Sequence, residues 1–322
     1  MIKGVLPGIY QIEIPLPGNP LKALNSYFIR GPKRSLLIDT GFNWPACRET
    51  MQTAIQKLGA NWSEIDIFLS HMHGDHSGLI NDLATDETIV YCSSIDAEYL
   101  RKTISSYEYW RAIEEAYTKH GLPITKPMVP ENMKKYLSGC DVNFKYVSDN
   151  DFIEVGDYQF VPILTPGHTP GHVCLYEPNH KILFSGDHIL ATITSNITFW
   201  IGMEDSLGQY LDSLDKIMPL EIALVLPAHR QPFTEVKERI VEIKLHHEKR
   251  LNEIAAKLYK NPMSAYEIAS IIKWNVKTPW DQFSWSQKWF SVGETIAHLE
   301  YLEKRNILVK STEGNQILYS LA

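Results

Sequence analysis

No apolar run in this chain approaches the roughly 18 residues that a membrane-spanning helix needs. The opening Met1-Ile2-Lys3-Gly4-Val5 also lacks the long apolar core of an export leader. No membrane partner is expected, and the cytoplasm is the expected compartment. Cysteine is scarce: Cys47, Cys92, Cys140 and Cys174 lie far apart with no C-x-x-C pair. That spacing excludes a zinc ribbon and a disulfide frame, and it predicts reduced, mostly packed thiols. No G-x-x-x-x-G-K run is present, so a phosphate-cradling loop is absent from the expectations. Excess positive charge is missing too. A formal net charge of −7 over 322 residues leaves no basic footprint for a nucleic-acid backbone. The remainder is ordinary for a globular chain, with 44% hydrophobic and 21% charged residues and enough length for one large domain plus a small one.

Against that background residues 65–78 stand out: Ile65-Asp66-Ile67-Phe68-Leu69-Ser70-His71-Met72-His73-Gly74-Asp75-His76-Ser77-Gly78. A short apolar run with the length and β-branched content of a buried strand ends in three histidines and an aspartate. Neutral imidazoles and carboxylates are the donors that zinc, iron and manganese accept. His71 and His73 can serve one centre while Asp75 and His76 serve another, and Gly74 and Gly78 permit the chain to turn tightly. Three later stretches each place a ligand-type residue behind an apolar run. They are Leu164-Thr165-Pro166-Gly167-His168, Ile182-Leu183-Phe184-Ser185-Gly186-Asp187, and Leu224-Val225-Leu226-Pro227-Ala228-His229.

The His-x-His-x-Asp-His spacing, with those three followers in order, resembles the metallo-beta-lactamase-fold hydrolase superfamily. The resemblance implies an α+β chain built as an αββα sandwich of two mixed sheets with helices outside. It implies two divalent metal ions, zinc first with iron or manganese as alternatives. His71, His73 and His168 would hold one ion, and Asp75, His76 and His229 the other. Asp187 would bridge them and leave room for a hydroxide between. Asp75 would also act in catalysis by orienting that hydroxide or carrying its proton onward. Asp39 matches a residue that orients metal ligands in the family; from the sequence alone it reads equally as a turn or helix-entry residue. His172 reads as an orienting or structural residue. His188, beside Asp187, is a catalytic candidate that either contacts substrate or supports the ligands. His120, His180, His246, His247 and His298 fall in or near helices and are expected to take no part in chemistry.

Along the chain, strands are expected at Ile9–Ile14, Asn25–Arg30 and Ser35–Ile38, and a helix over residues 46–58 ending at Gly59. Residues 95–120 read as one long helix carrying Tyr99, Tyr107, Tyr109, Trp110 and Tyr117, stopped by Gly121 and Pro123. With a second helical piece over 131–137 they form an expected insertion, about 95–137, whose aromatics serve either as core or as a wall of the substrate pocket. Strands are expected again at 144–147, 151–155, 158–164, 173–177 and 181–185, with a hairpin turn at Gly156-Asp157. A helix follows over 205–218, then a strand over 220–226. The expected catalytic domain is residues 1–233. Residues 234–322 would form a linker helix and a winged-helix-like domain, as in the branch of the superfamily that includes beta-lactamase-like 2 and resembles glyoxalase II in its metal residues. Over residues 247–322 ten Lys/Arg stand against eight Asp/Glu. That near-neutral balance, with Trp274, Trp280, Trp285 and Trp289, fits packing against the rest of the chain or a second subunit better than nucleic-acid reading.

The function expected is therefore metal-dependent hydrolysis of an ester-type bond in a small carboxyl thioester or ester. Two alternatives stay open at this point. One is a single-strand endoribonuclease or phosphodiesterase; the other is a winged-helix nucleic-acid-binding protein with an idle catalytic domain.

Overall fold

Strand alternation decides the architecture. The computed structural model describes residues 1–149 and 151–322. Strands β1 (Ile2–Leu6), β2 (Ile9–Pro15), β3 (Ala23–Ile29), β4 (Ser35–Ile38), β5 (Ile65–Phe68), β6 (Val90–Cys92) and β7 (Phe144–Tyr146) form one sheet in that order. Strands β8 (Ile153–Val155), β9 (Tyr158–Leu164), β10 (Val173–Glu177), β11 (Ile182–Gly186) and β12 (Leu224–Pro227) form a second, ordered β12-β11-β10-β9-β8. Successive side chains point to opposite faces of a strand. In the first sheet Tyr27, Ile29, Leu36 and Ile38 face inward to meet Phe160, Val173, Leu175, Phe184 and Leu226 of the second. The alternate residues serve the outer layers. Phe28, Leu37 and Ile67 pack under helices α1 (Pro45–Lys57), α4 (Ser94–Ser105) and α5 (Tyr107–Lys119), with the single-turn helices α2 (Gly74–Ser77) and α3 (Ile80–Leu83) lying between α1 and α4 in the chain. Cys174, Leu183 and Val225 pack under α6 (Ser206–Ile217) and the first half of α7 (Val236–Lys257). Each large apolar side chain fully buried in these layers contributes roughly 1.5–3 kcal/mol. The expected αββα sandwich is what forms.

Helical details differ from the reading of residues 95–137. The single long helix is two, because Ser106 takes an extended backbone (φ −103°, ψ 108°) and its hydroxyl accepts from the Tyr109 N–H to start α5. A serine in that position satisfies an otherwise unpaired helix-end donor. The expected helix at 131–137 is a single 3₁₀ turn, Pro130–Met133. Most of the aromatic stripe is core: Tyr99, Tyr109, Trp110 and Tyr117 are buried, while Tyr107 is exposed. The four cysteines are free thiols, and all but the half-buried Cys140 are buried.

The second half of α7, α8 (Ala265–Ile271) and α9 (Trp285–Lys304) lead into a hairpin of β13 (Leu308–Glu313) and β14 (Gln316–Leu321). Ile254, Ile268, Val292, Ile296, Leu299 and Tyr319 of this region join the same apolar cluster as α4, α5 and the outer face of the first sheet. Trp289 stacks on Tyr117 of α5 with ring centroids 3.7 Å apart. No helix among the described residues is long and apolar enough to cross a membrane.

The topology also sets where polar residues collect. Strands β4 and β5 run parallel, as do β11 and β12. The chain leaves all four at one edge of the sandwich, delivering Asp39, His71, Asp187 and His229 there. Strand β9 is antiparallel to β10, which is antiparallel to β11, so the loop carrying His168 emerges at that edge too.

Candidate metal centre

At this edge His71, His76, His172 and His229 are fully buried, His168 is 5% exposed and Asp187 is 7% exposed. Hydrogen bonds to each ring fix which nitrogen carries the proton, because a carbonyl or carboxylate oxygen only accepts. His168 Nδ1 donates to the Asn196 carbonyl at 2.9 Å, and His229 Nδ1 to the Ala23 carbonyl at 2.8 Å. His76 Nδ1 donates to Asp39 Oδ2 at 2.8 Å. Ser70 Oγ donates to Asp39 Oδ2 at 2.7 Å and lies 3.0 Å from His71 Nδ1, from which it can accept. In each case Nε2 is left facing inward. His73 Nδ1 lies 3.0 Å from both His71 Nε2 and His168 Nε2, so three nitrogens crowd one point.

A second group sits beside the first. His229 Nε2 is 3.3 Å from Asp75 Oδ2 and 3.5 Å from Asp187 Oδ1. His76 Nε2 is 3.8 Å from Asp75 Oδ2 and 3.7 Å from Asp187 Oδ2. The same Asp187 Oδ2 lies 3.7 Å from His168 Nε2, so one carboxylate faces both groups. Donor atoms of His71, His73 and His168, of His71, His76 and Asp187, and of Asp75, His76 and His229 each lie within 4.8 Å of one another.

Three buried atoms in this cluster, His76 Nε2, His229 Nε2 and Asp187 Oδ1, have no hydrogen-bond partner. Native interiors leave few such atoms orphaned, and here they converge on a common space. Burial pushes the His73 imidazole down to about 3, with His168 adding to it, and lowers His71 and His168 as well. Neutral imidazole is the form that ligates metal. Burial opposes ionisation of Asp75, yet His76 and His229 hold it at about 2. Asp187 is likewise held well below the usual carboxylate range, against its burial, by His229, His76 and His168. His71, His73 and His168 are thus neutral beside ionised Asp75 and Asp187, whose charges raise His76 and His229 against their burial. A divalent cation would take the place of that second proton in a donor set of imidazoles and carboxylates.

Residues 21–229 match the family model described as metallo-beta-lactamase superfamily. The chain belongs to that superfamily. Membership places it among the superfamily's hydrolases. It is 22% identical over 302 residues to the "probable metallo-hydrolase YqjP" of Bacillus subtilis, covering 91% of this chain and 92% of that one. It is 28% identical to the "beta-lactamase-like protein 2 homolog" of Caenorhabditis elegans over 73% of this chain and 65% of that one. To the "acyl-coenzyme A thioesterase MBLAC2" of Gallus gallus it is 26% identical, over 65% of this chain and 73% of that one. Among solved structures, a metallo-beta-lactamase family protein of Thermus thermophilus superposes with a TM-score of 0.81 at 26% identity, covering 99% of this chain and 100% of that one.

In this candidate site the supporting residues are as informative as the donors. Asp39 has φ +57° and accepts from the Ser70 N–H and hydroxyl as well as from His76. His172 sits behind Asp187: its Nε2 accepts from the Asp187 N–H at 3.2 Å, and its Nδ1 lies 2.8 Å from Thr165 Oγ1. His188 is fully buried, with its ring 5.1 Å from Tyr210 and 5.9 Å from His172, and neither of its nitrogens is hydrogen-bonded. It stands outside the donor groups and is sealed from solvent. His120, His180, His246, His247 and His298 also lie outside those groups.

Sequence reasoning passed over Asp96 and Asn196, whereas Trp200, which closes the loop after Asp187, was expected near the mouth of the site. Asp96 is fully buried and accepts from the Met72 N–H, the Thr169 hydroxyl and the Gly171 N–H, tying the His71–His76 loop to the His168 loop. Its neighbour Ser93 caps α4 through the Asp96 N–H, so the residue looks like an ordinary helix-start aspartate in the sequence. Trp200 donates to the His168 carbonyl and lies over His73 with ring centroids 5.9 Å apart. Tyr99, 5.8 Å from Trp200, holds the following Ile201 carbonyl.

Proposed function

We propose that this chain is a binuclear metal-dependent hydrolase acting on a small carboxyl thioester or ester. The observation that carries the reading is the convergence of seven donors on one edge of the sandwich, with buried atoms left unpaired unless cations occupy the space between them. His71, His73 and His168 would hold one ion, Asp75, His76 and His229 the other, and Asp187 would touch both. Divalent ions so held, zinc ahead of iron or manganese for this imidazole-rich set, would polarise the scissile carbonyl and lower the pKa of a bound water from 15.7 to roughly 7.

The chain's own groups do the rest. Asp39 and Ser70 fix the His76 and His71 rings, and His172 fixes the backbone of Asp187. Asp75, ionised and about one-tenth exposed, would hold a proton of the attacking water and pass it to the leaving group. Trp200 offers an apolar wall beside His73 for the acyl group. The acidic net charge and the thioesterase name carried by the Gallus gallus relative support a thioester or ester over RNA. In this reading residues 1–233 are catalytic, and residues 234–322 serve the site as a scaffold.

The test is a turnover screen of metal-loaded protein on acyl thioesters of graded chain length, carboxyl esters and single-stranded RNA. Turnover of thioester or ester is the expected result. Cleavage of RNA with no turnover of either carboxyl class would overturn the substrate assignment.

A further inference from the structure

Helix α9 lies far from the donor residues in sequence, yet it reaches them through one side chain. Glu294 Oε2 accepts from Asn196 Nδ2 at 2.9 Å. Asn196 in turn presents the backbone carbonyl that receives the His168 Nδ1–H at 2.9 Å. The loop between Asp187 and α6 is tied to its surroundings at each side of this point. Ser195 Oγ donates to the Asp187 carbonyl, the Phe199 N–H donates to the Gly293 carbonyl at 3.1 Å, and Trp200 closes back on the His168 carbonyl. Glu294 itself is only 14% exposed and stands 4.0 Å from Arg250, whose guanidinium lies over Trp274 at 4.4 Å. A glutamate held among buried groups on a structural helix has its best hydrogen bond spent on the residue that orients a candidate ligand.

We propose that Glu294 is a positioning residue for the candidate metal centre: by holding Asn196 it fixes the carbonyl that sets the tautomer and direction of His168. The inference rests on the metal-centre reading given above for what His168 then ligates, but the orientation itself is a property of the protein alone. It makes the C-terminal helices part of the site's framework, with Arg250 and Trp274 bracing Glu294 from α7 and the α8–α9 segment. Partners of this kind characteristically change metal affinity by roughly 10–100-fold when removed.

Two readouts on the full chain test it. In metal-free protein with ¹⁵N-labelled histidine, the His168 ring should show a hydrogen-bonded Nδ1–H and a single tautomer. E294A should lose that signature, and E294Q, whose amide oxygen can still accept from Asn196, should keep it. In chelator competition on zinc-loaded protein, E294A should release one equivalent about tenfold more readily, and E294Q should stay near wild type. I296V, a core truncation on the same helix, should lower the melting temperature and move neither readout. A folded E294A with unchanged His168 signals and unchanged zinc retention would overturn the proposal, as would an I296V that reproduces both effects. Wild-type protein that binds no metal would refute the metal-centre reading, and the His168 spectrum would still decide this one.

Discussion

His73 is the residue on which the donor cluster turns, since its Nδ1 alone lies 3.0 Å from both His71 Nε2 and His168 Nε2. H73A should remove one metal equivalent and lower turnover by more than about 100-fold, beyond the loss typical of an orienting partner. Metal content and kcat/KM of the purified variant check this, and retained activity would refute the ligand assignment. Protonation supplies a second prediction. Burial holds the His188 and His298 imidazoles down at about 3 and His120 at about 4. Unfolded, each takes a proton near 6.5, so between these limits the unfolded state binds more protons and stability falls as pH drops. Asp96, raised by burial to about 6, Glu300, raised by burial to about 7, and Glu294, also raised by burial, act in the opposite direction over part of the range. They are outnumbered once His71, His73, His168, His172 and His247, all lowered chiefly by burial, are added. Metal-free protein should therefore lose about 1.4 kcal/mol per pH unit for each uncompensated histidine on acidification below pH 6.5. Urea midpoints at about pH 7 and about pH 5 measure it; an equal or higher midpoint at the lower pH would contradict this balance of protons. The members of this cluster could be picked out in the sequence because His71, His73, Asp75 and His76 follow one strand, and His168, Asp187 and His229 each follow another, in short, self-contained stretches. Asp96 and Asn196 could not, because their roles arise from partners 24 to 98 positions away.

At the scale of elements, the close approach of α9 to the loop after Asp187 depends on Gly293. A Cβ there would collide with Thr198 Oγ1 and the Tyr117 hydroxyl, both of which lie against the helix backbone. G293A must push the 196–200 segment away from α9, and with it the carbonyl that receives His168 Nδ1–H and the Trp200 indole over His73. Overpacking of this kind costs typically 1–3 kcal/mol. A lowered melting temperature together with weaker metal retention is the expected outcome, and a variant with wild-type values for both would show that the loop does not depend on this contact. The strands were readable from alternation, which sends Leu36 and Ile38 to one face of β4 and Leu37 to the other, as their separate apolar clusters bear out. The break at Ser106 was not, since apolar periodicity runs through residues 95–120 and only the hydroxyl's bond to the Tyr109 N–H reveals two helices.

For the whole molecule, the sequence suggested a catalytic unit over residues 1–233 and a tryptophan-bearing tail over 234–322 packed against the rest of the chain or a second subunit. The C-terminal helices share one apolar cluster with the outer layer of the first sheet. Trp289 lies flat on Tyr117, and His120 is enclosed between Phe199 and Tyr319. Truncation after residue 233 would expose this cluster, so the shortened chain should aggregate or bind metal poorly. A soluble, monodisperse 1–233 fragment with full metal content would contradict the scaffold role given to residues 234–322. The tryptophans announced such packing in the sequence, but an apolar helix face does not state which surface it covers, so the choice between this chain and a second subunit was not legible.

The proposed chemistry stands or falls on two cations completing this edge of the sandwich. Elemental analysis of freshly purified protein, without added chelator, decides it. Two equivalents of zinc, iron or manganese per chain are expected, falling to one in H73A. One equivalent or none in the wild-type protein after exposure to excess metal would contradict the binuclear site.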